Sequence, residues 1–300
     1  MTWSNSFFFT QVMMKEVLMK NGVWLALFSS LVFSVMNVLV KEISATIPPA
    51  EIAFFRGLIG TILILVLMRY GQISFSQTGI PMLALRGVLG GLYMLAYFFT
   101  LSKIPLTDAS ILAQMSPVFV IVLSVIFLKE RLSRRTIAIL PLIFLGAILL
   151  IKPHEYASYS AYALVGILSA VFSAAAGISI RYLSKTHPSY EIVFYFVATS
   201  ALVALPFMSQ QFVVPDPMQS VYLLAIGVVS LLGQVFLTRA FTHESAIVVQ
   251  VVSYFGLVLN GIFGFIFWQE IPDMLTVLGG VIIVTGCIAL SSRRGANKTR

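Results

Sequence analysis

The chain has 300 residues, 59% of them hydrophobic and only 10% Asp, Glu, Lys or Arg, with a mean hydropathy of +0.99. A soluble domain carries far more charged surface, so composition excludes an ordinary soluble enzyme or binding module and indicates a polytopic membrane protein. The net charge of +8 sits in loops between apolar runs, where it reads as a topology signal and a contact with anionic lipid, not as a nucleic-acid footprint.

Residues 1–21 read as a cytoplasmic N-terminal segment, with Lys15 and Lys20 ahead of the first apolar run. That run is as long as a full span and lacks a small-x-small cleavage site, so it reads as a retained helix and not a signal peptide. A helix crossing the hydrocarbon core needs roughly 20 apolar residues. Ten such windows follow: 22–41, 50–69, 81–101, 107–128, 136–152, 162–182, 190–209, 219–239, 245–267 and 273–291. Pro, Gly, Ser and Asp clusters separate them. The runs are continuous and long, whereas barrel strands alternate over about ten residues, so the spans are helices. With the N-terminus cytoplasmic, fourteen of the nineteen basic residues fall on the inner side and only Lys41, Lys103 and Lys152 on the outer, a positive-inside bias. Both termini are then cytoplasmic, and 292–300 is a basic cytoplasmic tail.

The windows divide into two quintets, 22–152 and 162–291. Asp108 matches Glu244, Ala109-Ser110-Ile111 matches Ser245-Ala246-Ile247, and Phe127-x-x-Glu130 matches Phe267-x-x-Glu270. Glu130 is followed by Arg131, Arg134 and Arg135, whereas Glu270 is followed by Ile-Pro-Asp. An odd number of spans per copy makes the two copies cross in opposite senses, which accounts for the opposite charge after the same motif. The expected fold is all-α and integral to the membrane, with ten transmembrane helices in two inverted five-helix repeats, an architecture of secondary transporters.

At these residues the chain resembles the drug/metabolite transporter superfamily, in its EamA-type ten-helix branch. The most specific parts are AYFFTLSKIPLTDAS at 96–110, Ser116-Pro117-Val118-Phe119 with Phe127-Leu128-Lys129-Glu130, and QVFLTRAF at 234–241. The resemblance implies a central cavity lined by spans one, three, four, six, eight and nine. The first copy has Ser116-Pro117 where the second has Phe255-Gly256-Leu257, so a helix break is expected in span four and not in span nine.

Polar side chains within spans usually face the interior, although many serve only as helix contacts. Substrate-path candidates are Asn37, Arg86, Tyr93, Tyr97, Gln114, Ser116, Gln234, Gln250, Tyr254 and Asn260. Tyr93 with Tyr97, and Gln250 with Tyr254, share a helix face at i, i+4. Arg56 and Arg86 lie near enough to span ends to snorkel, or they pair structurally within the bundle; contact with an anionic solute is the functional alternative, favoured for Arg86. The acids lie in loops or at span ends. Glu51, Asp108, Glu191 and Glu244 open helices, where they meet the positive end of the dipole. Asp108, Glu51 and Glu270 are the candidates for proton coupling. Gly87-x-x-x-Gly91 has small-x-x-x-small spacing.

The single cysteine, Cys287, excludes an intrachain disulfide and a Cys-rich metal site, and no phosphate loop or hydrolase motif is present. No cofactor, metal or catalytic role is expected. Three readings stand: a bacterial inner-membrane carrier for a small organic metabolite (amino-acid-like, adenosyl- or flavin-like), a proton-coupled exporter of drugs or toxic metabolites, and a non-transporting receptor or lipid-handling protein. The partners are a small-molecule solute and the lipid bilayer, with the chain a monomer or homodimer.

Overall fold

The protein, a computed structural model, is described for residues 22–116, 118–119, 123, 134–151, 157–244 and 246–291. Among these residues it is all-helical. The helices are α1 (Gly22–Ile43), α2 (Pro49–Tyr70), α3 (Ile80–Lys103), α4 (Leu106–Ala113), α5 (Arg134–Ile151), α6 (Ala157–Leu183), α7 (Ser189–Met208), α8 (Pro217–His243), α9 (Ala246–Trp268) and α10 (Met274–Ser291). Their order follows the ten windows. Six of them, α1, α2, α3, α6, α7 and α8, are long and apolar enough to cross a membrane. Residues 1–21, most of 117–133 including Glu130 and Arg131, and 292–300 lie outside the described residues.

Local chemistry sets the helix ends. Proline occupies the first turn of α2, α3 and α8, where its missing N–H costs nothing. Asp216 and Gln219 form a reciprocal capping box at the start of α8, with bonds of 2.8 and 2.9 Å. α4 stops at Ala113, four residues before Pro117. A proline removes one helical hydrogen bond and its ring collides with the carbonyl four residues back. The backbone tightens there: Met115 N–H donates to the Leu112 carbonyl (3.1 Å) and Val118 N–H to that of Met115 (2.9 Å), three-residue spacing in place of four. α9 runs unbroken through Phe255-Gly256-Leu257, as expected from the absence of proline. Glu244 caps the end of α8, its N–H donating to the Ala240 carbonyl, two residues before α9 begins.

The principal contacts have a regular pattern. α3 packs along α6 and α1 along α8; α3 packs on α7 and α2 on α8; α1 packs on α9 and α4 on α6; α2–α7, α4–α9 and α5–α10 pair directly. Exchanging each helix for the one five places along maps this set onto itself. The turns repeat too. At a constant offset of 140 residues, Lys41, Thr46, Pro48, Glu51 and Ile52 coincide with Arg181, Thr186, Pro188, Glu191 and Ile192. Thr46 N–H to Ile43 O and Thr186 N–H to Leu183 O are both 3.0 Å; Ile47 N–H to Ile43 O and His187 N–H to Leu183 O are both 2.9 Å. This ungapped echo is closer than the one between spans four and nine that marks the repeat in the sequence analysis.

One large apolar cluster, from Met36 to Ile283, joins both halves. The helices turn large apolar side chains outward as well, including Ile62 and Leu65 on α2, Leu202 on α7 and Phe265 on α9. A surface of that kind suits lipid rather than water.

Candidate functional site

The site is built on α3, whose glycines bring it against α7. A Cβ at Gly87 would lie 2.5 Å from the Thr199 Cβ and 2.6 Å from the Tyr195 carbonyl, and one at Gly91 would lie 3.0 Å from the Ser200 Cα. Small residues at this spacing let backbones approach. The approach sets the Arg86 guanidinium over the Phe196 ring of α7, 4.4 Å from its centroid. α2 adds Arg56 over the same ring at 5.1 Å. Gly90 keeps the space open, because a Cβ there would meet both the Arg86 guanidinium and the Phe196 ring.

Both arginines are buried, at 1% and 3% exposure. The snorkelling expectation is therefore corrected: neither guanidinium reaches the surface, because both helix faces point at α7. All three guanidinium nitrogens of Arg56, and Nε and Nη1 of Arg86, are buried without a hydrogen-bond partner. A desolvated cation–π contact returns about 2 kcal/mol. Burying an ion costs several kcal/mol even after relaxation, and two like charges add repulsion. The ring alone leaves the pair short of compensation.

From the arginines a line of polar groups runs through the bundle. Tyr93 lies within electrostatic reach of both guanidiniums. It stacks on Tyr97, with centroids 5.8 Å apart and planes 19° from parallel, one helical turn along as the i, i+4 spacing predicts. Tyr97 lies within interaction range of Ser110 on α4. Ser110 Oγ donates to the Leu106 carbonyl at 2.7 Å and accepts from Asn260 Nδ2 at 2.8 Å. The line thus joins α2, α3, α7, α4 and α9. It gathers four expected residues, Arg86, Tyr93, Tyr97 and Asn260, and adds Arg56, Phe196 and Ser110.

Most of the other candidates make contacts of their own or are buried. Gln234 Nε2 donates to Thr238 Oγ1 on its own helix at 3.4 Å. Gln114 Nε2 donates to the Ser253 carbonyl at 3.3 Å, tying the turn after α4 to α9. Asn37 and Tyr254 are buried on α1 and α9, and Ser116 is buried just past that turn. Gln250 lies on α9, but its side chain falls outside the described residues.

The three candidate proton-coupling acids each have partners. Asp108 accepts from Thr276 Oγ1 at 3.1 Å. Glu51 leaves its own helix to accept from Val213 N–H at 3.0 Å. At one end of the bundle, where α1 and α9 finish, Glu270 pairs with Lys41. The second Glu270 oxygen accepts the Leu106 N–H at 2.8 Å, one of the orphan donors that open α4. Lys41 also donates to the Ile104 carbonyl at 3.3 Å and lies over the Trp268 ring at 5.3 Å. Gln269, at φ 55°, turns the chain back so that Glu270 points at this cluster. Together the contacts latch α1, the α3–α4 turn and α9 beside an open cavity of about 330 Å³. The latch was not legible in the sequence, where Lys41 reads only as an outer-loop charge. The available signal was that Lys41 repeats as Arg181 and Glu130 as Glu270. Among the described residues no group of three or more His, Cys, Asp or Glu is placed to hold a metal ion.

Comparisons with known proteins point one way. The model of the EamA-like transporter family matches twice, over residues 20–152 and 160–292. The pseudopaline exporter CntI of Pseudomonas aeruginosa is 58% identical over 91% of this chain and 97% of its own. An S-adenosylmethionine uptake transporter of Rickettsia prowazekii is 27% identical, over 88% of this chain and 90% of its own. A solved crystal structure, 18% identical, superposes with a TM-score of 0.64 over 91% of this chain and 98% of that one, a likeness of fold.

Proposed function

The chain belongs to the EamA-like transporter family, and from that premise we propose that it exports a small organic metabolite of the pseudopaline kind across the bacterial inner membrane by alternating access. The observation that carries this reading is the polar line from Arg56 and Arg86 through Tyr93, Tyr97 and Ser110 to Asn260. Buried polar groups are expensive in an apolar bundle and usually mark a solute path. This line crosses both halves of the chain.

In this reading the two quintets are inverted repeats that rock about a shared central site. The contact set that survives exchange of the halves supports it. The latch of Lys41, Glu270 and the Leu106 N–H lies at the outer mouth and holds it shut, so release of solute to the outside requires these contacts to part. Tyr93 and Tyr97 offer a stacked aromatic wall, and Asn260 with Ser110 a neutral hydrogen-bonding end. The identity to an exporter supports the outward direction; the more distant uptake relative supports only the size and polarity of the cargo.

Proteoliposomes holding the purified protein and loaded with labelled pseudopaline test this. The expected result is saturable efflux that Tyr97→Ala reduces about tenfold or more, the effect of removing a buried, stacked aromatic from a binding site. Efflux equal to that of protein-free liposomes would sink the reading. Acceleration by an imposed pH gradient, lost in Asp108→Asn, would move it to proton-coupled export.

A further inference from the structure

We propose that Arg56 and Arg86 form a carboxylate socket, in which an acidic group of the solute docks against the two guanidiniums over Phe196. The inference rests on the carrier reading only in taking that group to belong to the cargo.

Four observations carry it. The two cations share one ring and are buried at 1% and 3% exposure. Five of their six guanidinium nitrogens have no hydrogen-bond partner, although a buried donor left unpaired is rare and calls for an ion or water. The chain's own nearby acids are turned elsewhere. Glu51, five residues before Arg56 on α2, projects from another side of that helix and accepts from Val213 N–H. Glu191, five residues before Phe196 on α7, accepts from Ser76 N–H and Oγ at 2.7 and 2.8 Å. Finally, Gly90 keeps open the space that the Arg86 guanidinium and the Phe196 ring occupy.

The chemistry selects the ligand. Guanidinium presents paired N–H donors at the spacing of two oxygens on one carbon or phosphorus, so it recognises carboxylate and phosphate bidentately. Arg56 has both its edges free. Tyr93, within electrostatic reach of both cations, adds a face on which the planar part of a solute can rest. Because the two arginines reach the ring from different helices, an anion between them also ties α2 and α3 to α7. Binding therefore relieves repulsion and fixes a helix crossing in the same step.

The test is equilibrium binding on the purified protein in nanodiscs, independent of flux. Succinate is the probe, its neutral diamide and sodium chloride are the controls, and thermal stability and titration calorimetry are the readouts. Expected is stabilisation by succinate, none by the diamide and little by chloride. Arg86→Gln and Arg56→Gln should each weaken succinate binding about tenfold or more, as loss of a charge-assisted fork does. Each should also raise stability in anion-free buffer, because one of two repelling charges is gone. Arg86→Lys should bind at intermediate strength. Equal response to succinate and its diamide in the wild type overturns the socket without any variant having to fold, and chloride acting as strongly as succinate overturns the carboxylate assignment. Succinate binding without pseudopaline flux would leave the socket standing and remove the exporter; flux without succinate binding would do the reverse.

Discussion

The first half of the chain places Arg56 and Gly57 where the second half, 140 residues on, places Phe196 and Val197. These equivalent positions meet each other. Arg56 lies over Phe196, and a Cβ on Gly57 would come within 2.8 Å of the Val197 carbonyl. At a crossing of α2 with α7, two equal bulky residues would collide and two equal cations would repel. Positions 140 residues apart that meet at such a crossing must therefore differ where they touch. The difference resolves into small against large and cation against aromatic ring. The same contrast appears at the turns. Lys41 is drawn into the latch with Glu270, whereas its counterpart Arg181 is exposed.

Erasing that asymmetry should be costly in a definite order. Phe196→Arg would set a third cation at the crossing and remove the ring that holds two others. We expect a loss of more than about 4 kcal/mol, seen as no monodisperse peak on size-exclusion chromatography in detergent. Gly57→Val makes α2 copy α7. The added methyls meet backbone atoms of α7, and overpacking of this kind costs about 1–3 kcal/mol, read as a lowered unfolding temperature with Arg56 still in place.

Neutralising one side of the latch leaves a part-buried charge alone. Lys41→Gln or Glu270→Gln should each cost about 1–3 kcal/mol, with the double variant closer to wild type than either single. Arg181→Gln, at the exposed counterpart, should stay within about 0.5 kcal/mol; a double-mutant cycle by thermal unfolding separates the two cases. The smallest expected contrast is between the paired helix-opening acids. Glu191→Gln weakens two charge-assisted bonds to Ser76, and Glu51→Gln weakens one to Val213. The first should cost more than the second, by about 1 kcal/mol. The reverse order would mean that the two turns are not energetic counterparts.

Much of the fold was readable before any coordinates. The windows 50–69, 162–182 and 190–209 fall within or one residue beyond α2, α6 and α7, because a membrane-spanning length and its proline ends are local properties of the chain. The break near Ser116-Pro117 followed from proline chemistry alone. The stacking of Tyr93 on Tyr97 followed from helical spacing. The site was only partly readable. Arg56 and Arg86 both stand out as ionisable groups within spans, but nothing in the sequence marks the ring that gathers them, and Phe196 reads as one more apolar residue.

By itself, then, the sequence determined that this is an apolar helical chain, the order and approximate place of its helices, and which residues share a face. Those choices depend on hydropathy, proline and a 3.6-residue period, all of which act over a few residues. Tertiary structure alone decided that Arg56 and Arg86 converge on Phe196 and that Glu270 crosses 229 residues of chain to reach Lys41. A buried charge takes its partner from whichever helix packs beside it, and that choice is made by the fit of glycine against bulk across the bundle.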